Sequence, residues 1–208
     1  MTPKESPYLR EPGYAVRYRD QRFTSGTGPG THRRESRAIE GLLDRAGADD
    51  GLWLDLPSGA GRLSELLPGN VVRSDRDPKM LEACGDKWPR VQASALALPF
   101  ADGAFDGVLC MRLLHHIATP TERIAILREL ARVSRKNVIV SFFHFWSLQH
   151  LRRCIARRLG KKRSNRNAIS WRRFATELRE AGMEPIAVAP LRRLVSEQWL
   201  VLATTPKN

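Results

Sequence analysis

The stretch LWLDLPSGAGRLSELL, residues 52–67, followed by NVVRSDRDPKML, residues 70–81, decides the fold. Its apolar opening, Leu52 to Leu56, predicts a buried strand. Gly59 and Gly61 predict a tight turn, and a helix then runs to about Leu67, where LPGN stops it. Asn70 to Ser74 predicts a second strand, with Asp75 at its end. Asp77 and Pro78 open a further helix, as N-cap and first helical residue, which ends near Gly85. Strand, tight turn, helix, strand and acid in this order form the frame in which an α/β fold holds an adenosine-containing cofactor. Glycines let the backbone approach the ligand, and the acid accepts hydrogen bonds from ribose hydroxyls.

Working outward, residues 1–35 are rich in Arg, Tyr, Gly and Pro and predict an arm with little regular structure. Ser36 to Ala46 has helical spacing, with Ile39, Leu42 and Leu43 inward. After a short strand at Arg90 to Ala93, ALPFADGAFDGVLCM (97–111) gives a turn and a strand over Asp106 to Met111. Thr119 to Val133 predicts an amphipathic helix, and the apolar Asn137 to Phe143 a central strand. Leu148, Leu151, Ile155 and Leu159 share one helical face, with GKKRSNRN (160–167) as an exposed loop after it. Ser170 to Ala181 is a helix capped by Ser170 and stopped by Gly182. The closing strands, Glu184 to Ala189 and Gln198 to Thr204, are too close in sequence for a helical crossover and must pair antiparallel. The expected fold is therefore α/β: a Rossmann-like, seven-stranded, mostly parallel sheet with an antiparallel C-terminal strand and helices on both faces. The expected division is an arm or lid at 1–35 and one domain at 36–208, with a basic insertion at about 144–168.

The 208-residue chain carries a net charge of +13, and that charge is concentrated. From Leu130 to Thr176 there are 13 Lys and Arg and no Asp or Glu, while elsewhere 22 basic residues balance 22 acidic ones. Such asymmetry points to an anionic partner or to a solvated, solubilising face. The apolar runs are shorter than the ~20 residues of a spanning helix. The N-terminus lacks the apolar core of a signal peptide. The expected location is the cytoplasm, with peripheral attachment to the inner face of a membrane as a variant. Cys84, Cys110 and Cys154 fit neither a disulfide framework nor a zinc site and read as small apolar fillers. No metal is expected.

With these motifs in place the chain resembles the class I S-adenosylmethionine-dependent methyltransferases, in their small-molecule, type 11, UbiE-like branch. Asp55-Leu56-Pro57-Ser58-Gly59-Ala60-Gly61 is similar to the family's Asp-x-Gly-x-Gly-x-Gly motif, and Asp75 stands at its ribose-binding acid. LPF at 98–100 and FDGVLCMRLLHHI at 105–117 are similar to its LPF…FD-x-V…LHH pattern. The likeness covers about residues 50–140. It departs at Pro57, which replaces a glycine and lacks an N–H. It departs again at Ser94, where many members carry an adenine-binding Asp, and at Arg76, where an apolar residue often covers the adenine. These departures bear on cofactor affinity rather than on fold. A nicotinamide dehydrogenase fits less well, because its third glycine is here Ser64.

The resemblance implies a cofactor site of Asp55, Pro57, Ser58, Gly59, Ala60, Gly61, Asp75, Arg76, Met80, Ser94, Ala95, Leu96, Met111, Arg112 and Leu113. Asp55 either binds the cofactor's ammonium, directly or through water, or caps the following helix. His115 and His116 follow the fourth strand, at the ligand-binding edge of such sheets. A histidine there takes a proton from the acceptor or packs as a structural residue beneath the cofactor, and spacing leaves both open. Tyr14, Arg17, Tyr18, Arg19, Arg22 and Phe23 suit a lid. The implied activity is methyl transfer to a small or lipid-like, anionic acceptor. The alternatives are an RNA methyltransferase, or a non-catalytic binding protein on a degenerate fold. Arg152, Arg153, Arg157, Arg158, Lys161, Lys162 and Arg163 would meet an anionic membrane or RNA.

Overall fold

The computed structural model describes residues 14–21, 26–159 and 166–205. The described residues begin with two helices, α1 (Tyr14–Gln21) and α2 (Gly28–Ala46). There follow β1 (Gly51–Asp55), β2 (Gly69–Asp75), α3 (Pro78–Glu82), β3 (Arg90–Gln92), β4 (Phe105–Cys110), α4 (Pro120–Val133) and β5 (Ser134–Phe143). The chain closes with α5 (Leu148–Arg158), α6 (Trp171–Glu180), β6 (Glu184–Pro190) and β7 (Gln198–Thr204). The seven strands form one sheet in the order β3-β2-β1-β4-β5-β7-β6. The first five pair in parallel, and β7 runs antiparallel to both β5 and β6. The antiparallel strand thus lies one place in from the edge.

Each face of the sheet buries its own core. On one, Leu54, Val108, Val138, Val140 and Phe142 pack against Ile126, Leu127 and Leu130 of α4 and Phe174 and Leu178 of α6. On the other, Trp53, Val71, Leu109, Ile139 and Leu202 pack against Ile39, Leu42 and Leu43 of α2. Trp53 lies flat on Gly107, where any Cβ would meet its ring at 2.4 Å. The caps follow the sequence: Asp77 accepts from Lys79 N–H, Thr119 from Glu122 N–H, and Ser170 from Arg173 N–H. Between α4 and α6, Arg123 and Glu177 form a buried two-pronged ion pair at 2.5 and 2.8 Å.

Two sequence expectations need correction. The segment before Ser36 holds regular structure, since α1 lies within it and α2 begins at Gly28. The first turns of α2 are held by polar contacts, among them Glu35 and His32 to Arg62, so hydrophobic spacing gave no sign of them. The helix predicted after Gly61 shrinks to one 3₁₀ turn, Ser64–Leu66. There the Ser64 hydroxyl is drawn inward to Asp55 at 2.6 Å. Tyr18 and Arg19 have no described side chains, and Arg22 and Phe23 lie outside the described residues.

Candidate active site

The turn after β1 is built on two left-handed glycines. Gly59 has φ +54° and Gly61 has φ +77°. Side chains at these angles are strained. A Cβ at Gly61 would also stand 3.0 Å from the Arg73 guanidinium carbon. Pro57 follows a cis peptide bond, and Ser58 N–H donates to Ser74 C=O at 2.8 Å, tying the turn to β2. Asp75 closes the turn from the other side. Its two carboxylate oxygens accept Gly59 N–H and Asp77 N–H, each at 2.9 Å. Every such oxygen has a second lone pair for a ribose hydroxyl. Burial raises the Asp75 pKa, and the hydrogen bonds from Asp77 and Gly59 oppose that rise.

Beneath the turn lies a layer that spacing did not reveal. Asp55 is buried, and burial pushes its pKa up to about 7 against the pull of Ser64 and Arg73. Arg73, also buried, donates to the Ser64 hydroxyl at 3.2 Å and to Cys84 C=O at 2.7 Å. Its guanidinium carbon lies 4.7 Å from the centre of the Trp88 ring. Cys84 is no apolar filler, because its thiol donates to Gly59 C=O at 3.0 Å. Cys154 is exposed, and Cys110 alone of the three is core. Met80 is buried with Ala60, Ala83 and Ala15, so α1 packs against the turn. Ser94, Arg76 and Leu96 are exposed at the rim, with Ala95 partly buried. The Ser94 hydroxyl accepts Leu96 N–H at 3.3 Å.

Past β4 the edge changes character. Met111 is buried and Leu113 partly so. Arg112 adopts φ +63°, its N–H held by the Ser141 hydroxyl at 2.7 Å. Beside it opens a cavity of about 280 Å³ lined by Arg34, Arg112, Arg166 and Arg192. Phe143 forms part of its wall, and Gln149, Ser196 and Gln198 add polar groups. No Asp or Glu is among the described residues that line it. Four arginines among its lining residues give the cavity a basic character. They come from four separate parts of the chain.

The histidines divide. His115 is buried and stacked on Phe143, centroids 4.0 Å apart and planes within 6°. Burial first, then His116, Arg166, Arg112 and Arg153, depress its pKa to about 2. It therefore stays neutral and is a weak base. His116 keeps an exposed edge, and partial desolvation of its ring first, then Arg166 and Arg112, lower its pKa. The two halves of the edge meet at Glu35, which is fully buried. It accepts from Arg62 at 2.5 Å and from Gln198 at 2.8 Å, and lies 3.7 Å from Arg112 Nε. Glu35, Arg62, Arg73 and the cavity arginines 34, 166 and 192 went unmarked in the sequence. A charged residue inside an otherwise apolar helix face, as Glu35 is beside Ile39, was the available signal.

Within the basic segment, Arg152 and Arg158 are exposed, but Arg153 turns inward to Glu197 at 2.7 Å. Lys161, Lys162 and Arg163 and the side chain of Arg157 lie outside the described residues. Among the described residues no cluster of three His, Cys, Asp or Glu side chains is placed to hold a metal.

A sheet of this order, with a glycine turn after β1 and an acid ending β2, defines a Rossmann-like class I methyltransferase fold. Residues 54–157 match the family described as "Methyltransferase domain", half of the chain, and the protein belongs to that family of S-adenosylmethionine-dependent methyltransferases. Over 80 residues it is 32% identical to a tRNA (carboxymethyluridine(34)-5-O)-methyltransferase of Xenopus tropicalis, covering 38% of this chain and 13% of that protein. Over 122 residues it is 32% identical to the ubiquinone/menaquinone biosynthesis C-methyltransferase UbiE of Hahella chejuensis, covering 51% of this chain and 47% of UbiE. The chain thus spans less than half the length of either relative. In fold it is similar to magnesium protoporphyrin IX methyltransferase of Synechocystis, solved with bound S-adenosylhomocysteine, at TM-score 0.69 and 18% identity over 85% of this chain and 84% of that one.

Proposed function

We propose that this chain methylates a small anionic acceptor, using S-adenosylmethionine held at the Gly59–Gly61 turn. The observation that carries the reading is the pairing of that turn with the four-arginine cavity along one edge of the sheet. The residues present fit the cofactor. Gly59 and Gly61 allow close backbone approach, Asp75 offers lone pairs to ribose hydroxyls, and Met80 lies under the turn. Asp55 sits at the end of β1 to receive an ammonium, directly or through water. Ser94 to Leu96 and Arg76 rim the adenine side, and Met111 to Leu113 border the acceptor side. α1 packs against the turn through Ala15, which lies with Ala60 and Met80.

The cofactor supplies an electrophilic methyl group on a sulfonium. The protein's part is to align the acceptor with it, and alignment alone supplies much of the rate. Arg34, Arg112, Arg166 and Arg192 fix the acceptor's phosphate or carboxylate, and Phe143 limits its orientation. Where the nucleophile must lose a proton, His116 receives it, since it is exposed at the edge. His115 stays neutral and supports Phe143. The test is calorimetry with S-adenosylmethionine on the wild type and on Asp75→Ala. Micromolar binding that weakens about 100-fold in the variant is expected, from two lost charge-assisted hydrogen bonds. Absence of binding by the folded wild type favours a non-catalytic anion-binding protein.

An RNA acceptor is the second reading, favoured by the tRNA methyltransferase relatives and by the charge of the segment 130–176. Salt separates the two. An acceptor held by many phosphate contacts loses affinity steeply with ionic strength, whereas one group in the cavity gives a shallow slope.

A further inference from the structure

We infer that α5 and the turn before β7 form a docking face for a bilayer with anionic headgroups. The face is apolar and, among the described residues, uncovered. Leu148, Leu151, Ile155 and Leu159 follow one stripe of the helix, and all are exposed, Leu159 to 78%. Trp146 (69% exposed) and Phe145 precede the stripe, and Leu194 (75%) and Val195 stand beside it. The two segments are joined by backbone hydrogen bonds, Leu148 N–H to Leu194 C=O at 2.7 Å and Gln149 N–H to Val195 C=O at 3.2 Å.

The charge around this face selects the occupant. Exposed Arg152 and Arg158 flank the stripe on α5, and exposed Arg192 and Arg193 flank Leu194. The sequence has no Asp or Glu from Leu130 to Thr176 or from Pro185 to Ser196. Glu197, which follows this turn in sequence, is buried and ion-paired to Arg153 of α5. An apolar stripe with cations at its borders and a tryptophan at its end is the composition of a helix lying in a membrane interface. A protein partner would be expected to find some carboxylates in the rim, and RNA would find its phosphates held off by large aliphatic groups. No described helix is long and apolar enough to cross a membrane, so the contact is peripheral. Gln149, Arg192 and Ser196 also line the arginine cavity, which therefore opens beside the docking face. The inference itself does not rest on methyl transfer.

The test is co-sedimentation of the full chain with vesicles of phosphatidylcholine alone, or with 30% phosphatidylglycerol added. Binding to the anionic vesicles only, reduced by added salt, is expected. Leu151→Asp with Ile155→Asp should weaken it at least about tenfold, and Arg152→Ala or Arg158→Ala about fivefold each. These positions are exposed, and unchanged melting temperatures and cofactor binding in the variants establish that the fold is kept. Equal binding to both vesicle types, no binding, or apolar variants that bind like wild type would each overturn the inference. So would a sedimentation result in which the double variant only converts a dimer to a monomer, or a chain that binds duplex RNA unchanged by that variant but no vesicles.

Discussion

The two halves of the sheet's ligand-binding edge are built in opposite ways. The half over β1 to β3 takes its turn, acid and supporting layer from residues 55 to 88, nearly consecutive in the chain. Its acid and hydroxyl are held from within the same stretch, Asp75 by Gly59 and Asp77, Ser64 by Arg73. The half over β4, β5 and β7 gathers Arg34, Arg112, Arg166 and Arg192 from four distant segments to line one cavity, Arg112 also lying against Glu35. A fixed ligand common to a whole family is served by a short, self-contained motif. A variable ligand is served by side chains that tertiary structure brings together, each replaceable without disturbing the others. That division is the reason the cofactor can be named while the acceptor is proposed only by its charge.

Glu35 is the seam between the halves, so its removal has the largest effect. Glu35→Ala leaves Arg62 and Arg112 facing each other without their shared carboxylate. Breaking a buried pair costs ~3–5 kcal/mol, and partial exposure of both arginines points to the lower end. A fall in Tm of roughly 6–12 °C is expected for a chain of this size. Cofactor and anion binding should both weaken, by calorimetry. If only one half responds, the halves are not coupled through this residue.

Gly61→Ala acts on one half. The left-handed conformation costs a residue with a Cβ ~1–2 kcal/mol, and the new carbon would also press on Arg73. Melting temperature and S-adenosylmethionine affinity should fall together, while affinity for inorganic pyrophosphate in the arginine cavity is unchanged. Arg192→Ala is the mirror experiment. Pyrophosphate should bind about fivefold more weakly, for one lost charge-assisted contact, with cofactor affinity intact. A change in both affinities would contradict the division.

The same contrast explains what could be read from the sequence. The strands, the antiparallel closure by β7 and the caps at Asp77, Thr119 and Ser170 were legible, because each rests on local spacing or a single turn residue. The glycine turn and Asp75 were legible for the same reason. The first turns of α2 were not, because polar contacts to Arg62, thirty residues away, hold them. Nor were the cavity arginines, since nothing in a run of basic residues tells which ones converge. Arg153 points to buried Glu197, while Arg152 beside it faces solvent, a difference set only by the helix's seat on the sheet.

The smallest effect on binding concerns a proton on Asp55. Burial raises its folded pKa to about 7, whereas in the unfolded chain it titrates near 4. Between those values the folded protein holds a proton that the unfolded chain has released. Stability from this group is therefore greatest below about pH 4, falls as pH rises to about 7, and is level above. The cofactor's ammonium favours the ionised carboxylate, so affinity should move the other way, rising with pH to a plateau above 7. A single group with that pKa gives about a fourfold loss of S-adenosylmethionine affinity between pH 8 and pH 6.5. Asp55→Asn, which keeps the shape and removes the titration, should flatten both profiles and hold affinity near its low-pH value. A variant with wild-type affinity at pH 8 would assign Asp55 to the turn's support alone, through Ser64 and Arg73, and leave the ammonium to backbone carbonyls of the turn.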